Sequence, residues 1–409
     1  MHMFVKLAWR NIFRNKRRTI IAGTAIGIGL ASLIFTDALM IGMEINIIES
    51  ATSTFLGEGQ IHRDGFRQTY GIEKTINNLD ELVSDLKEEE IVTDFSLRTF
   101  SPAMISSPAN VSSVELVGFD PSREKDLSKI DEAITEGSYF SGDGERDIVI
   151  GRKLAEILEV EIGDRVVVTV SQAETGELSQ EMFRISGIFF FNSREMDRGM
   201  AFVRLNKSQQ MLGIGDGIHE IALKFIDISL SRNKQLPFWD RYSVNGNEAV
   251  GWNVVLPQME SVFALSRFSI YIMGLILFGI VALVIINTLF MSLRERMFEF
   301  GVLRAVGTRP FGMARLIIFE AGALAVISIG LGVILGFAVT YIFTLTGIDY
   351  RGIEYLGVTF QELLYPVLGI NQFIIYPLSL FILTCLVSVY PALIAARMSP
   401  VKAMRQGLL

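Results

Sequence analysis

A single cysteine, Cys385, and three histidines, His2, His62 and His219, are all that the 409 residues hold of the commonest metal-binding and redox side chains. One thiol excludes an intrachain disulfide, and its place inside an apolar run says nothing about the redox compartment. The histidines are too scattered to form metal-ligand spacing. There is no G-x-x-x-x-G-K-[ST] stretch to cradle a nucleotide phosphate, no G-x-S-x-G elbow and no H-E-x-x-H helix. Positive charge is also scarce where the chain is most polar. Residues 42–262 carry 21 Lys+Arg against 37 Asp+Glu, a balance that argues against nucleic acid as their partner and reads as a solvated acidic surface.

Apolar residues, by contrast, make up 50% of the chain. They gather into runs long enough to cross a bilayer core, which takes about 20 residues. Four spans are expected, at 19–41, 268–293, 314–344 and 371–396. The first 18 residues place Phe4, Ala8 and Ile12, with Val5, Trp9 and Phe13, opposite Lys6, Arg10, Arg14 and Arg17. That pattern predicts a helix lying on an anionic membrane surface. It does not read as a cleaved leader, because the following apolar run is too long for an h-region and lacks a small-x-small site. Gly23 and Gly27 in the first span, and Ser328, Gly332 and Gly336 in the third, form small-residue rows where another backbone can approach closely. Asp37, near the outer end of the first span, is expected to pair with Arg267 at the start of the second.

Charge sets the topology. Arg294, Arg296, Arg304, Arg309 and Arg315 crowd the connection between spans two and three, so 294–311 belongs in the cytosol. The link at 345–370 has Arg351 against Asp349, Glu354 and Glu362 and belongs outside; the tail at 397–409, with Arg397, Lys402 and Arg405, belongs inside. Both termini are then cytosolic and the segment at 42–262 lies beyond the membrane. Within it, Asn78–Glu90 has the pattern of a helix, and 111–119, 147–150, 165–170, 182–191 and 220–225 read as strands, with a hairpin tip at 171–180. The fold class is therefore a membrane protein of four transmembrane helices with a large α+β extracytoplasmic domain and its stalk inserted between helices 1 and 2. In the cytosolic connection, Phe298, Val302 and Ala305 recur at helical spacing and Gly307, Thr308 and Pro310 end the helix. A short helix held between two spans is a natural surface for a soluble partner to push.

Four stretches, LAWRNIFRNKRRT (7–19), GEGQIHRDGF (57–66), RERMFEFGVLRAVGTRPFGMARLIIFEA (294–321) and YPALIAARMSPVKAMR (390–405), together resemble one permease superfamily. It contains the lipoprotein-releasing permeases of the LolC and LolE type, the macrolide exporter MacB and the cell-division protein FtsX. A weaker match, at 151–170 and 183–190, resembles the middle of that family's outer domain. The third and fourth stretches are the specific ones. The resemblance implies a dimer, with a second copy or a paralogue, driven by a separate ABC ATPase subunit. ATP would be bound by that partner, and the chain itself would hold no cofactor or metal, have no catalytic residue and be no enzyme.

By the same resemblance, residues 294–307 form the helix that docks on the ATPase, with 400–405 close by. Arg294, Glu295 and Arg296 begin it, and Glu299, Gly301, Arg304, Ala305 and Gly307 match the family pattern E-x-G-x-x-R-A-x-G. Glu320 matches the family's E-A at the start of the third span and is a candidate partner for Arg397 at the end of the fourth. The implied activity is mechanical extraction of lipoproteins from the inner membrane, with a periplasmic carrier or adaptor as a further partner and membrane lipid as the medium. Efflux of small molecules or peptides, as by MacB, and signalling to a cell-wall hydrolase, as by FtsX, are the alternatives within the family. The 171–180 hairpin departs from the carrier-recruiting permeases, in which it is a longer hook.

Overall fold

The computed structural model describes residues 7–11, 13–140, 144–355, 358–360 and 362–397. Among these, four helices are long and apolar enough to cross a membrane: Lys16–Ala51, Pro257–Glu295, Pro310–Thr346 and Ile370–Ala396. The chain divides into two compact units. One comprises Met1–Glu44, Phe263–Asp349 and Leu364–Leu409, and the other Ile45–Val262 with Tyr350–Leu363.

The first unit is the helix bundle. Its core joins Ile26, Leu30 and Ile34 of the first span to Val281, Ile285 and Leu289 of the second, Leu316, Ala321 and Leu324 of the third, and Leu380 and Ala392 of the fourth. The two small-residue rows turn out to face each other. A Cβ added to Gly27 would lie 3.2 Å from both the Gly332 nitrogen and the Ser328 carbonyl oxygen, and one on Gly336 would lie 3.2 Å from the Ala31 Cα. In lipid, where burying apolar surface yields little, such backbone proximity is what holds helices together. The link after the third span packs back on the first, with the Val367 N–H donating to the Ala38 carbonyl at 2.9 Å.

Asp37 and Arg267 are not partners. Arg267 pairs with Glu44 at 3.2 Å, while the Tyr376 hydroxyl of the fourth span is hydrogen-bonded to Asp37. Glu44 lies seven residues beyond Asp37, on the same helix face but about 10 Å further along the axis. Sequence reasoning chose the right face and the wrong rung.

The second unit is the inserted domain. It contains β1 (Gly59–Arg63), β2 (Val92–Ser106), β3 (Val111–Phe119), β4 (Ile134–Gly137), β5 (Asp147–Gly151), β6 (Arg165–Ser171), β7 (Leu178–Phe189), β8 (Met200–Arg204), β9 (Glu220–Phe225) and β10 (Asn247–Gly251). All five strands expected from the sequence are present, and 171–180 is a hairpin tip with Gly176 in the left-handed region. β2, β3, β8, β5, β7 and β6 pair in a closed ring, and β9, β1 and β10 continue from the first half of β2 as an open wing.

The ring is filled by side chains that alternate inward, among them Ile105, Leu116, Ile150, Val168, Phe183 and Val203. β2 escaped the sequence reading because Pro102 interrupts its pattern. Pro102 stays in register with Glu115 of β3, and it is tolerated because on the other edge of β2 the pairing with β9 ends at Arg98 and that with β6 begins at Ala103, leaving no partner strand there at residue 102.

At the entry to this domain the first long helix closes with a π turn, Thr52–Leu56. Phe55 of that turn covers the guanidinium of Arg98 at 4.1 Å. Arg98 is fully buried and paired with two carboxylates, Glu124 at 2.5 Å and Glu220 at 3.1 Å. Burial raises the Glu220 carboxyl to about 7 despite the arginine. Removing one member of such a group strands a charge in the core and costs about 3–5 kcal/mol, so the stalk's last turn is seated on a fixed point.

Candidate coupling site

The helix Pro257–Glu295 breaks at Arg296, whose backbone (φ −112°, ψ 16°) leaves the helical region, and the chain resumes as the short helix Met297–Ala305. This helix ends in a Schellman motif: the Gly307 N–H donates to the Arg304 carbonyl and the Thr308 N–H to that of Leu303, at 3.1 and 3.0 Å. Gly307 sits at φ +102° with open space around it, so glycine is required there by conformation, not by crowding. Pro310 then opens the third span at its first turn.

Arg296 is the centre of the site. Its guanidinium bonds Glu299 on the short helix at 3.1 Å and Glu320 on the third span at 3.2 Å, and lies 5.1 Å from the Phe300 ring. Glu320 also accepts from the Ser292 hydroxyl at 3.1 Å. Arg296 and Glu320 are both buried, so the short helix is tied to the third span by charges that have left water together. Glu320 therefore does not pair with Arg397, which stands at the end of the fourth helix; Arg296 reaches it first because the helix break turns that side chain inward.

The amino-terminal segment adds a second clasp. Arg14 meets Glu299 at 2.6 Å and Arg18 meets Glu295 at 2.8 Å. The two arginines and the two glutamates are each four residues apart and pair in opposite chain directions, a complementarity that was present in the sequence and went unused. Burial pushes the Glu299 carboxyl up, but the hydrogen bonds from Arg14 and Arg296 outweigh it and hold the group below the usual carboxylate range. Ala8 and Phe300 both enter the bundle core, and Trp9 and Phe13 remain exposed in an edge-to-face pair. Residues 2–6, 12 and 398–409, which include the rest of the expected surface helix and the 400–405 segment, lie outside the described residues.

Glu299, engaged by Arg14 and Arg296, stays partly exposed, and beside it the short helix presents a largely apolar outer face. Phe298, Val302, Leu303 and Val306 are exposed, Val306 by 83%, and Phe311 of the next helix joins them. Arg304 donates to the Thr308 carbonyl at 3.3 Å and belongs to the helix end. Gly301 is buried against the bundle, whereas Arg294 and Ala305 are exposed. Charge pattern had drawn attention to Glu299 and Arg304; the groups left facing outward are Val306, Leu303 and Phe311, which periodicity alone does not separate from core.

Comparison with known proteins places this arrangement in a family. Residues 19–232 match the family model of the MacB-like periplasmic core domain, and residues 271–400 match the FtsX-like permease C-terminal domain. The lipoprotein-releasing system transmembrane protein LolC of Xylella fastidiosa is 26% identical over 70% of this chain and 72% of its own. LolE of Haemophilus influenzae is 23% identical over 97% and 98%. Among solved structures, the periplasmic region of MacB from Actinobacillus actinomycetemcomitans aligns with 49% of this chain and 92% of its own, at 10% identity and a TM-score of 0.34. Four membrane-spanning helices with a mixed-sheet domain inserted after the first, and family matches that together run from 19 to 400, show that the chain is a multi-pass inner-membrane ABC transporter permease of the MacB/LolC/LolE/FtsX family.

Proposed function

We propose that this permease extracts lipoproteins from the outer leaflet of the inner membrane, driven by ATP hydrolysis in a separate ABC ATPase subunit. The observation that carries the coupling half is the short helix Met297–Ala305: a rigidly clasped element whose exposed face is apolar and whose charges are already spent within the chain. Such a face is suited to desolvation against a partner, with the polar clasp fixing its orientation. The arginines around it support a cytosolic position by the positive-inside rule, and with it both termini on that side and the inserted domain in the periplasm. Both helices that flank the inserted domain are unbroken and longer than a bilayer core requires, 36 and 39 residues in all, and each continues into the domain's own residues. Force on the cytosolic side thus has a continuous covalent path.

The cargo half rests on the LolC and LolE relatives and on a cavity of about 700 Å³ in the inserted domain beside the stalk ends, whose wall carries Phe55, Phe191, Met196 and Met259 together with the carboxylates Glu115 and Glu195. Methionines and aromatics make an adaptable wall for an acyl chain. In nanodiscs with the cognate ATPase, a triacylated lipoprotein should raise ATP turnover. Val306→Asp, which alters an exposed side chain and none of the clasps, should abolish that stimulation while leaving the permease folded. Turnover that is indifferent to lipoprotein but still lost in the variant would keep the coupling role and remove the cargo, leaving efflux or signalling.

A further inference from the structure

The inserted domain is strongly acidic, yet four of its basic side chains converge on one hollow of about 500 Å³: Arg152, Lys153, Arg194 and Arg198. Gly151 brings them together. A Cβ there would fall 2.3 Å from the Asp197 carbonyl oxygen, so the end of β5 and the turn of helix at Arg194–Gly199 touch backbone to backbone. The hollow also holds two carboxylates, Glu156 and Asp197, which offset part of its charge, Glu156 at Lys153 and Asp197 at Arg152. Glu156 holds Lys153 at 2.5 Å, and Asp197 accepts the Phe191 N–H at 2.8 Å and further backbone bonds from Asn192 and Ser193.

Arg152 is held in place, its guanidinium carbon 4.4 Å from the Phe190 ring, with its Nε buried and without a hydrogen-bond partner among the described residues. Arg194 and Arg198 stand four apart on the same face of their helix, a like-charge spacing that opposes the helix unless something neutralises it. No ion pair or hydrogen bond to either guanidinium is present among the described residues.

We infer that this hollow binds a phosphate-class anion, with the Arg194 and Arg198 guanidiniums gripping its oxygens and Arg152 behind them. Three guanidinium forks presented to one space match the several oxygens and the multiple charge of a phosphate group better than a single carboxylate. Phe190, 39% exposed at the rim, offers an apolar contact for whatever carries the group. The phosphate comes from a phospholipid headgroup or from a soluble phosphate ester, and the two sources share this chemistry. The site is independent of the coupling helix and of the identity of the cargo.

The test uses the full-length permease in phosphatidylcholine nanodiscs, titrated with inorganic phosphate and, separately, with dioctanoyl phosphatidic acid, with binding followed calorimetrically. Saturable binding that weakens about tenfold or more in Arg194→Ala/Arg198→Ala, weakens with added salt and is unchanged in Lys234→Ala is expected. Arg194→Lys/Arg198→Lys keeps the charge and the fold but removes the forks, and should fall between the two. Binding of both probes assigns a soluble phosphate; binding of phosphatidic acid alone assigns a lipid headgroup. No saturable binding of either, or equal binding by wild type and the double alanine variant, overturns the site.

Discussion

Arg296, Arg98 and His62 are each placed so that a single side chain settles the state of its neighbours. Arg296 converts a break between two helices into a joint, and Arg98 anchors the π turn through Phe55. His62 is fully buried, bonded to Gln60 at 3.2 Å, and burial, reinforced by Arg67, holds it near a pKa of about 3. Its folded value thus lies below its unfolded value of about 6.5. As pH falls through that unfolded value the unfolded chain takes up the proton first, and stability is lost by up to about 1.4 kcal/mol per pH unit. His219 acts in the same direction: its Nδ1 accepts the Phe100 N–H, which leaves Nε2–H to donate to the Ile72 carbonyl. The raised Glu220 carboxyl works the other way over the same range, so the histidine contribution is read as a difference: between pH 6.5 and 5 the stability of the inserted domain, followed by the fluorescence of Trp239 and Trp252, should shift further towards unfolding in wild type than in His62→Gln. An equal shift in the variant would contradict this account of His62.

At the scale of elements, what was readable from the sequence and what was not divide along contact distance. The four long apolar helices, the Schellman end at Gly307 and five of the strands depend on local pattern, and all were visible there. The ring closure by β6, the tolerance of Pro102 and the pairing of Arg14 with Glu299 depend on groups brought together across the chain, 285 residues apart in the last case. Small-residue rows sit between these extremes: each was visible in its own helix, but their mutual contact was not. That contact is testable. Gly27→Leu forces a side chain against the Gly332 and Ser328 backbones and should destabilise the bundle by about 1–3 kcal/mol, read as a lower midpoint of thermal aggregation. Gly330→Leu is its control, because nothing lies within 4 Å of that position. Equal loss in both variants would mean that the Gly27 contact is not what holds the first and third spans together.

For the whole molecule, the proposed function rests on two regions, the exposed apolar face of the short helix Met297–Ala305 and the cavity in the inserted domain. The sequence pointed to the first region through its arginines and glutamates, yet those residues serve as clasps, and the face they leave exposed is the part suited to a partner. The cavity was not readable at all, since its wall is drawn from the stalk, from β3 and from the turn before β8. The measurement that bears most directly on the account is ATP-dependent release of a triacylated lipoprotein from proteoliposomes containing the permease and its ATPase. Release by wild type, and none by a folded Val306→Asp, is the predicted result. ATP hydrolysis that remains coupled to the permease while the lipoprotein stays in the membrane would contradict extraction as its function.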